Sequence, residues 1–221
     1  MLGSVPVTDL AKASVFFDFD GTISRTGIGP HLLARVGDPA WREIDEAYIN
    51  GEMGSRECMA REWQCLPVHD EDLLLSVARE VEVDPGFGPL LDALRAAGAE
   101  VTVVSDGFGF YVHDALSSYG VDILSNAVDP VSRALVFPNG DPTCPCQQCG
   151  TCKQAPIRSA ASRGHRTVFI GDGVSDRKAA SIADSVYAKA RLATWCAETG
   201  TPYVPYDSME DVHRHLLGGT A

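Results

Sequence analysis

Two aspartates, Asp18 and Asp20, close the apolar run of "VFFDFDGTIS", and a Gly-Thr pair follows at once. Residues two apart in extended backbone point to the same side, so both carboxylates would gather at the end of one strand. Half-buried carboxylates repel and lose solvation, so the pair alone gives a fold nothing. Two further strand-like runs end in the same manner. "VTVVSDG" closes on Ser105, Asp106 and Gly107, and "VFIGDGVSD" closes on Asp172 with Asp176 beyond it. Clustered carboxylate oxygens suit a hard divalent cation, most naturally Mg²⁺, and such an ion would offset the repulsion.

For these groups to meet, their strands must be neighbours in an open α/β sheet, where ligands bind beyond the C-terminal strand ends. The rest of the chain supports that arrangement. After Asp84 the pattern alternates between helix and strand as far as "MEDVHRHLL", which implies a mostly parallel sheet with right-handed crossovers. A hairpin is expected around 127–137. Between about Arg25 and Asp84 four segments space apolar residues at helical intervals: "HLLARVG", "AWREIDEAYIN", "SRECMAREWQCL" and "EDLLLSVAREV". Breaks fall at Gly37–Pro39, Gly51–Glu52 and Pro67. The expectation is an α/β, Rossmann-like core over 1–24 and 85–221, with a small helical insert over 25–84 after the first strand.

The chain has 221 residues and a formal net charge of -12, which argues against a nucleic-acid backbone as partner. An anionic substrate would need local help from a metal ion, a few cations or backbone N–H groups. The start, "MLGSVPVTDLAKAS", lacks a basic stretch followed by a long apolar one. No run approaches transmembrane length, so no membrane association and a cytoplasmic location are expected.

Taken singly, each motif has a plainer reading. Asp-Gly pairs are common turns, "GDGVSD" could be a capped loop, and a lone lysine such as Lys153 is usually a solvated surface cation. Four in order are a different matter. "DFDGT", "SDG", Lys153 and "GDGVSD" together resemble the haloacid dehalogenase-like phosphatase superfamily over nearly the whole chain. The helical insert resembles the cap of its phosphoserine-phosphatase branch. "CQQCGTCK" and "ARLATWCAETGTPYVPYDSMEDV" resemble the subgroup holding the methionine-salvage phosphatases, which act on 2-hydroxy-3-keto-5-methylthiopentenyl-1-phosphate.

The resemblance implies a phosphomonoesterase acting on a small phosphorylated metabolite. Asp18 would be the nucleophile, forming an aspartyl phosphate, and Asp20 the general acid and then base. Mg²⁺ would sit on Asp18, the Asp20 backbone carbonyl and Asp172, with Asp176 behind them. Ser105, the N–H groups of Asp106 and Gly107, and Lys153 would hold the phosphoryl oxygens. Many relatives carry Gly where this chain has Asp106, so its side chain is expected to turn away from the phosphate. Within the insert, Glu52, Arg56 and Trp63 are candidates to line the site, although a solvated helix face explains them equally well. Alternatives are a phosphoserine phosphatase or another small-metabolite phosphatase or phosphotransferase of the same superfamily. A more distant one is a non-catalytic zinc- or ligand-binding module.

Cys144, Cys146, Cys149 and Cys152 crowd the loop directly before Lys153. Four thiols this close could hold a structural Zn²⁺; a reduced flap or a redox-labile disulfide fits the spacing too. In each case the loop would set where Lys153 points.

Overall fold

The computed structural model describes residues 10–141, 143–144 and 148–218. Seven strands form one sheet: β1 (Ala13–Phe17), β2 (Glu100–Phe108), β3 (Asp122–Val128), β4 (Leu135–Val136), β5 (Arg166–Gly171), β6 (Ser185–Ala188) and β7 (Val204–Pro205). Their order is β4-β3-β2-β1-β5-β6-β7. All neighbours pair parallel except β3 and β4, which form the expected antiparallel hairpin. β1 lies at the centre and is buried along its whole length, which is why "ASVFF" is uniformly apolar after Ser14.

Helices cover both faces of the sheet. Val15 and Phe17 of β1 pack with Phe87, Leu90 and Leu94 of α5 (Phe87–Ala96) and with Val212 of α10 (Met209–Leu217). Phe16 points the other way, toward Ile157 of α7 (Gln154–Ser162) and Leu192 of α9 (Ala190–Thr199). This split follows from the two-residue alternation of a strand. Short α6 (Gly109–Ala115) follows β2, and α8 (Arg177–Ala180) follows β5. The segment "SDRKAASIA" predicts a longer helix than α8. The chain turns instead, because Asp184 accepts hydrogen bonds from the Thr167 N–H and hydroxyl, both at 2.8 Å, and β6 begins at the next residue.

Four helices occupy the connection from β1 to α5: α1 (Ile28–Val36), α2 (Trp41–Ile49), α3 (Ser55–Gln64) and α4 (Glu71–Ala78). The outgoing and returning chains run side by side, with an antiparallel bridge between Ser24 and Val83. The Arg25 N–H donates to the Glu82 carbonyl at 3.0 Å, and the Asp84 N–H to that of Ile23 at 2.8 Å. Among the described residues, no helix is long and apolar enough to cross a membrane.

Candidate active site

β1, β2 and β5 are adjacent, so their C-terminal ends bring the three polar motifs to one place. Asp18 extends β1 by one step, its N–H donating to the Ile170 carbonyl at 2.9 Å. Between Val104 and Phe108 the pairing of β2 with β3 shifts register, so Ser105, Asp106 and Gly107 bulge out of the ladder. A bulge here turns these groups toward the crevice. Gly107 has to be glycine, because a Cβ there would collide with Tyr111 Oη and Asp20 Oδ2. Gly21 has φ +77° and would place a Cβ 2.6 Å from Asp172 Oδ2.

Lys153, nearly all of whose surface is buried, is the cation that touches Asp18 and Asp176. Its ammonium donates to Asp18 Oδ1 at 2.5 Å, Asp176 Oδ1 at 2.6 Å and Ser175 Oγ at 3.0 Å. Burial works to lower its pKa, but the charges of Asp176, Asp18 and Asp106 outweigh this and raise it well above the usual value. Burial, together with the charges of Asp176 and Asp172, pushes Asp18 upward against the pull of Lys153. Asp172 is raised to about 6 by burial and Asp176, with the Thr22 hydroxyl opposing. That hydroxyl donates to Asp172 Oδ1 at 3.0 Å.

One ammonium cannot neutralise this group of carboxylates. Asp18, Asp172 and Asp176 each place an oxygen within 4.8 Å of the other two. An all-oxygen set with surplus negative charge suits a hard divalent cation. Asp176, expected to act from behind, thus belongs to the same cluster. It also accepts the N–H groups of Asp172 and Gly173 at 3.0 and 2.8 Å, which fixes the turn after β5.

Asp20 faces a different partner set. Oδ1 accepts the Ile28 and Gly29 N–H groups at the start of α1, at 2.6 and 3.3 Å, and Oδ2 accepts the Tyr111 hydroxyl at 2.7 Å. Burial raises its pKa although all three donors favour the charged form. Ser105 is fully buried, and its Oγ accepts the Gly107 N–H at 2.9 Å, so that N–H is engaged within the motif. The Asp106 carboxylate accepts the Thr151 N–H at 2.5 Å, and Asp106 also lines the cavity above the site.

A cavity of about 320 Å³ opens above these groups. Asp18, Asp20, Ser105, Asp106 and Asp172 line its floor, and Pro30, Asp45, Tyr48, Ile49, Cys58, Met59 and Glu62 line the opposite wall. Ser55, Cys58, Met59 and Glu62 all line the cavity, and their i, i+3, i+4, i+7 spacing is one face of α3. Glu62 is pushed up to about 8 by burial and the charge of Asp45, with the Cys58 thiol opposing as a hydrogen-bond partner and Asp20 adding to the rise. Ala190, also lining the cavity, has φ 47° at the start of α9, a strained value for a non-glycine residue.

The insert residues first considered do not line this cavity. Arg56 donates from Nε to the Cys149 carbonyl at 3.3 Å and stacks over Phe137, Trp63 packs against Phe108, and Glu52 is exposed. Tyr111, Lys189, Asp45 and Glu62 escape a motif reading. Only the α3 spacing signals any of them in advance. Lys189 feels the charge of Asp172, and its ammonium sits 5.0 Å from the Tyr206 ring centroid.

In the cysteine loop, Cys144 and Cys152 are buried and Cys149 is half-buried, while Cys146 lies outside the described residues. Among the described residues the three thiols do not form a group at metal-ligand spacing; the carboxylates above do.

Two proteins named 2-hydroxy-3-keto-5-methylthiopentenyl-1-phosphate phosphatase align along most of their length. The one from Exiguobacterium sp. AT1b is 28% identical over 92% of this chain and 97% of its own. The one from Bacillus cereus ZK / E33L is 29% identical over 92% and 97%. A substrate-bound phosphoserine phosphatase structure superposes with a TM-score of 0.68 at 16% identity, covering 93% of this chain and 98% of that one. A HAD family hydrolase from Salmonella enterica serovar Typhi reaches 0.73 at 18% identity, over 95% and 73%. These two likenesses concern the fold. The profile of the haloacid dehalogenase-like hydrolases matches residues 15–181, a span that holds every carboxylate of the crevice, and the chain belongs to that family.

Proposed function

We propose that the protein is a Mg²⁺-dependent phosphatase that hydrolyses a small-molecule phosphomonoester through an aspartyl phosphate on Asp18. The observation that carries this reading is the Asp18–Lys153–Asp176 arrangement, in which Asp18 lines the cavity with buried Lys153 and Asp176 behind it, and Asp20 faces the same cavity from a separate set of partners. Asp18 attacks phosphorus, and the bond from phosphorus to the leaving oxygen breaks. Asp20 gives that oxygen a proton; its raised pKa favours carrying one. In the second step Asp20 takes a proton from water, which attacks the phosphoryl group and releases Asp18. Tyr111 and the start of α1 hold Asp20 in place between the two steps.

Asp18, Asp172 and the Asp20 carbonyl would hold Mg²⁺, with Asp176 beside them. The ion supplies charge stabilisation for the phosphoryl oxygens and shields the nucleophile from their charge. Lys153 adds a fixed positive charge. Helices α1–α4 act as a cap whose inner face meets the leaving group.

The substrate we infer is 2-hydroxy-3-keto-5-methylthiopentenyl-1-phosphate, as in the named relatives. The cap wall supports an uncharged leaving group: it offers Met59, Ile49 and Pro30 with the carboxyl of Glu62, and Arg56 is spent on the cysteine loop. A phosphoserine leaving group would bring a carboxylate and an ammonium to a wall of mainly apolar groups, where Arg191 is the basic residue among the described lining. The non-catalytic alternative loses ground because Asp18, Asp20 and Asp172 are all present and converge.

Phosphate release from a panel of phosphorylated metabolites tests the reading. Turnover should require Mg²⁺, stop with EDTA, favour the methylthio substrate over phosphoserine, and vanish in Asp18→Asn with the fold retained. Full activity in Asp18→Asn would refute the mechanism, and a preference for phosphoserine would refute the substrate.

A further inference from the structure

Within the Ser-Asp-Gly bulge, the surroundings of the Asp106 carboxylate give it a task of its own. Its Oδ1 accepts the Thr151 N–H at 2.5 Å, and the nearby Ser55 hydroxyl favours the charged form of the same carboxylate. Ser55 opens α3, and its Oγ in turn accepts the Gly150 N–H at 3.2 Å. One residue on, the Arg56 N–H donates to the Gln148 carbonyl at 2.9 Å, and its guanidinium reaches the Cys149 carbonyl. Each residue from 148 to 151 is therefore bonded to the first turn of α3 or to Asp106. Lys153 follows two residues later.

The junction is tight as well as bonded. A Cβ on Gly150 would fall 3.0 Å from Asp106 Oδ1 and 2.8 Å from Asn126 Oδ1. Asn126, fully buried on β3, donates to the Asp106 carbonyl at 2.5 Å and accepts the Thr151 hydroxyl at 3.2 Å. A carboxylate suits the position because it only accepts, and the Thr151 N–H facing it donates.

We propose that the Asp106 carboxylate is a positioning residue, fixing at Thr151 the same loop that Ser55 and Arg56 of α3 hold just before it, so that the cavity wall and the Lys153 ammonium are set together. The proposal rests on the phosphatase reading only for its effect on turnover. α3 supplies the wall facing the leaving group, and Lys153 supplies the charge beside Asp18, so the tie links the two ends of the substrate site. Misplacing a catalytic group by about an ångström can cost on the order of 100-fold in rate.

The test measures Lys153 directly. Its side chain is buried, so an amine-acetylating ester should modify it slowly in the native protein, with the site read by peptide mass spectrometry. In Asp106→Ala and in Ser55→Ala, Lys153 should be acetylated at least tenfold faster, while Lys12 and Lys189 keep their rates. In the same variants kcat/KM on an aryl phosphate should fall at least tenfold. Asp106→Asn, which keeps one carbonyl acceptor, should fall between them and the native protein. Unchanged labelling of Lys153 overturns the proposal, and so does an equal rise at every lysine, which would mean general loosening. Faster labelling with unchanged kcat/KM also overturns it, because the tie would then serve the fold alone. If Asp106→Ala does not fold, Ser55→Ala decides by the same criteria. If the native protein releases no phosphate, the phosphatase reading has failed, and the labelling result still decides whether the tie exists.

Discussion

Glu62→Gln should change how stability depends on pH. In the folded protein the Glu62 carboxyl is pushed up to about 8, chiefly by burial and then by Asp45. In the unfolded chain it returns to about 4.3. Below the unfolded value both states hold the proton and the group costs nothing. As pH climbs toward the folded value, the unfolded chain gives up its proton and the folded protein keeps it, so stability falls. The slope from one such group is about 1.4 kcal/mol per pH unit. Between pH 5.5 and 7.5 the loss comes to roughly 3 kcal/mol, or roughly 5–10 °C in Tm for a chain of this size. Glutamine has nearly the same shape and no such proton. Urea unfolding of both proteins at pH 5.5, 6.5 and 7.5, with EDTA present, isolates the term as the difference between them. That difference should grow in favour of Glu62→Gln as pH rises. A constant difference across the range would show that Glu62 is already ionised in the fold. The wall facing the leaving group would then be anionic, and the physical case for an uncharged leaving group would be lost.

Asp20→Asn should cost far more on an alkyl phosphate, whose leaving oxygen needs a proton, than on an activated aryl phosphate. Equal losses measured by phosphate release would place Asp20 in structure rather than proton transfer. Lys153→Met should lower stability by roughly 3–5 kcal/mol at pH 7.5 in EDTA, because it strips the buried carboxylates of Asp18 and Asp176 of their partner. The Asp18 carboxylate, raised by burial and by neighbouring charge, protonates as pH falls, so the loss should shrink at pH 5. An equal loss in urea titrations at both pH values would contradict this account.

Much of the site was legible in the chain because its signals are local. A carboxylate after an apolar run, a Ser-Asp-Gly tripeptide and a Gly-Asp-Gly turn each mark a strand end, and open α/β sheets place ligands there. The order of β2, β1 and β5 then needs only parallel pairing with right-handed crossovers to bring Asp18, Ser105 and Asp172 together. The four insert helices were readable for the same reason, since helical periodicity repeats within a few residues. Contacts between distant segments carry no such mark. Tyr111 reaches Asp20 across 91 positions, and Thr151 reaches Asp106 across 45. Arg56 stood with Glu52 and Trp63 as a candidate to line the site, yet the packing of α3 on the cysteine loop turns it onto Cys149 and Phe137. Glu62 lies within the same helix and faces the cavity instead. Sequence determined which residue types stand at the strand ends and that a helical insert follows the first. Only the tertiary structure decided which face of each insert helix looks inward, because that depends on how whole elements pack, and burial then decides which carboxyl keeps its proton.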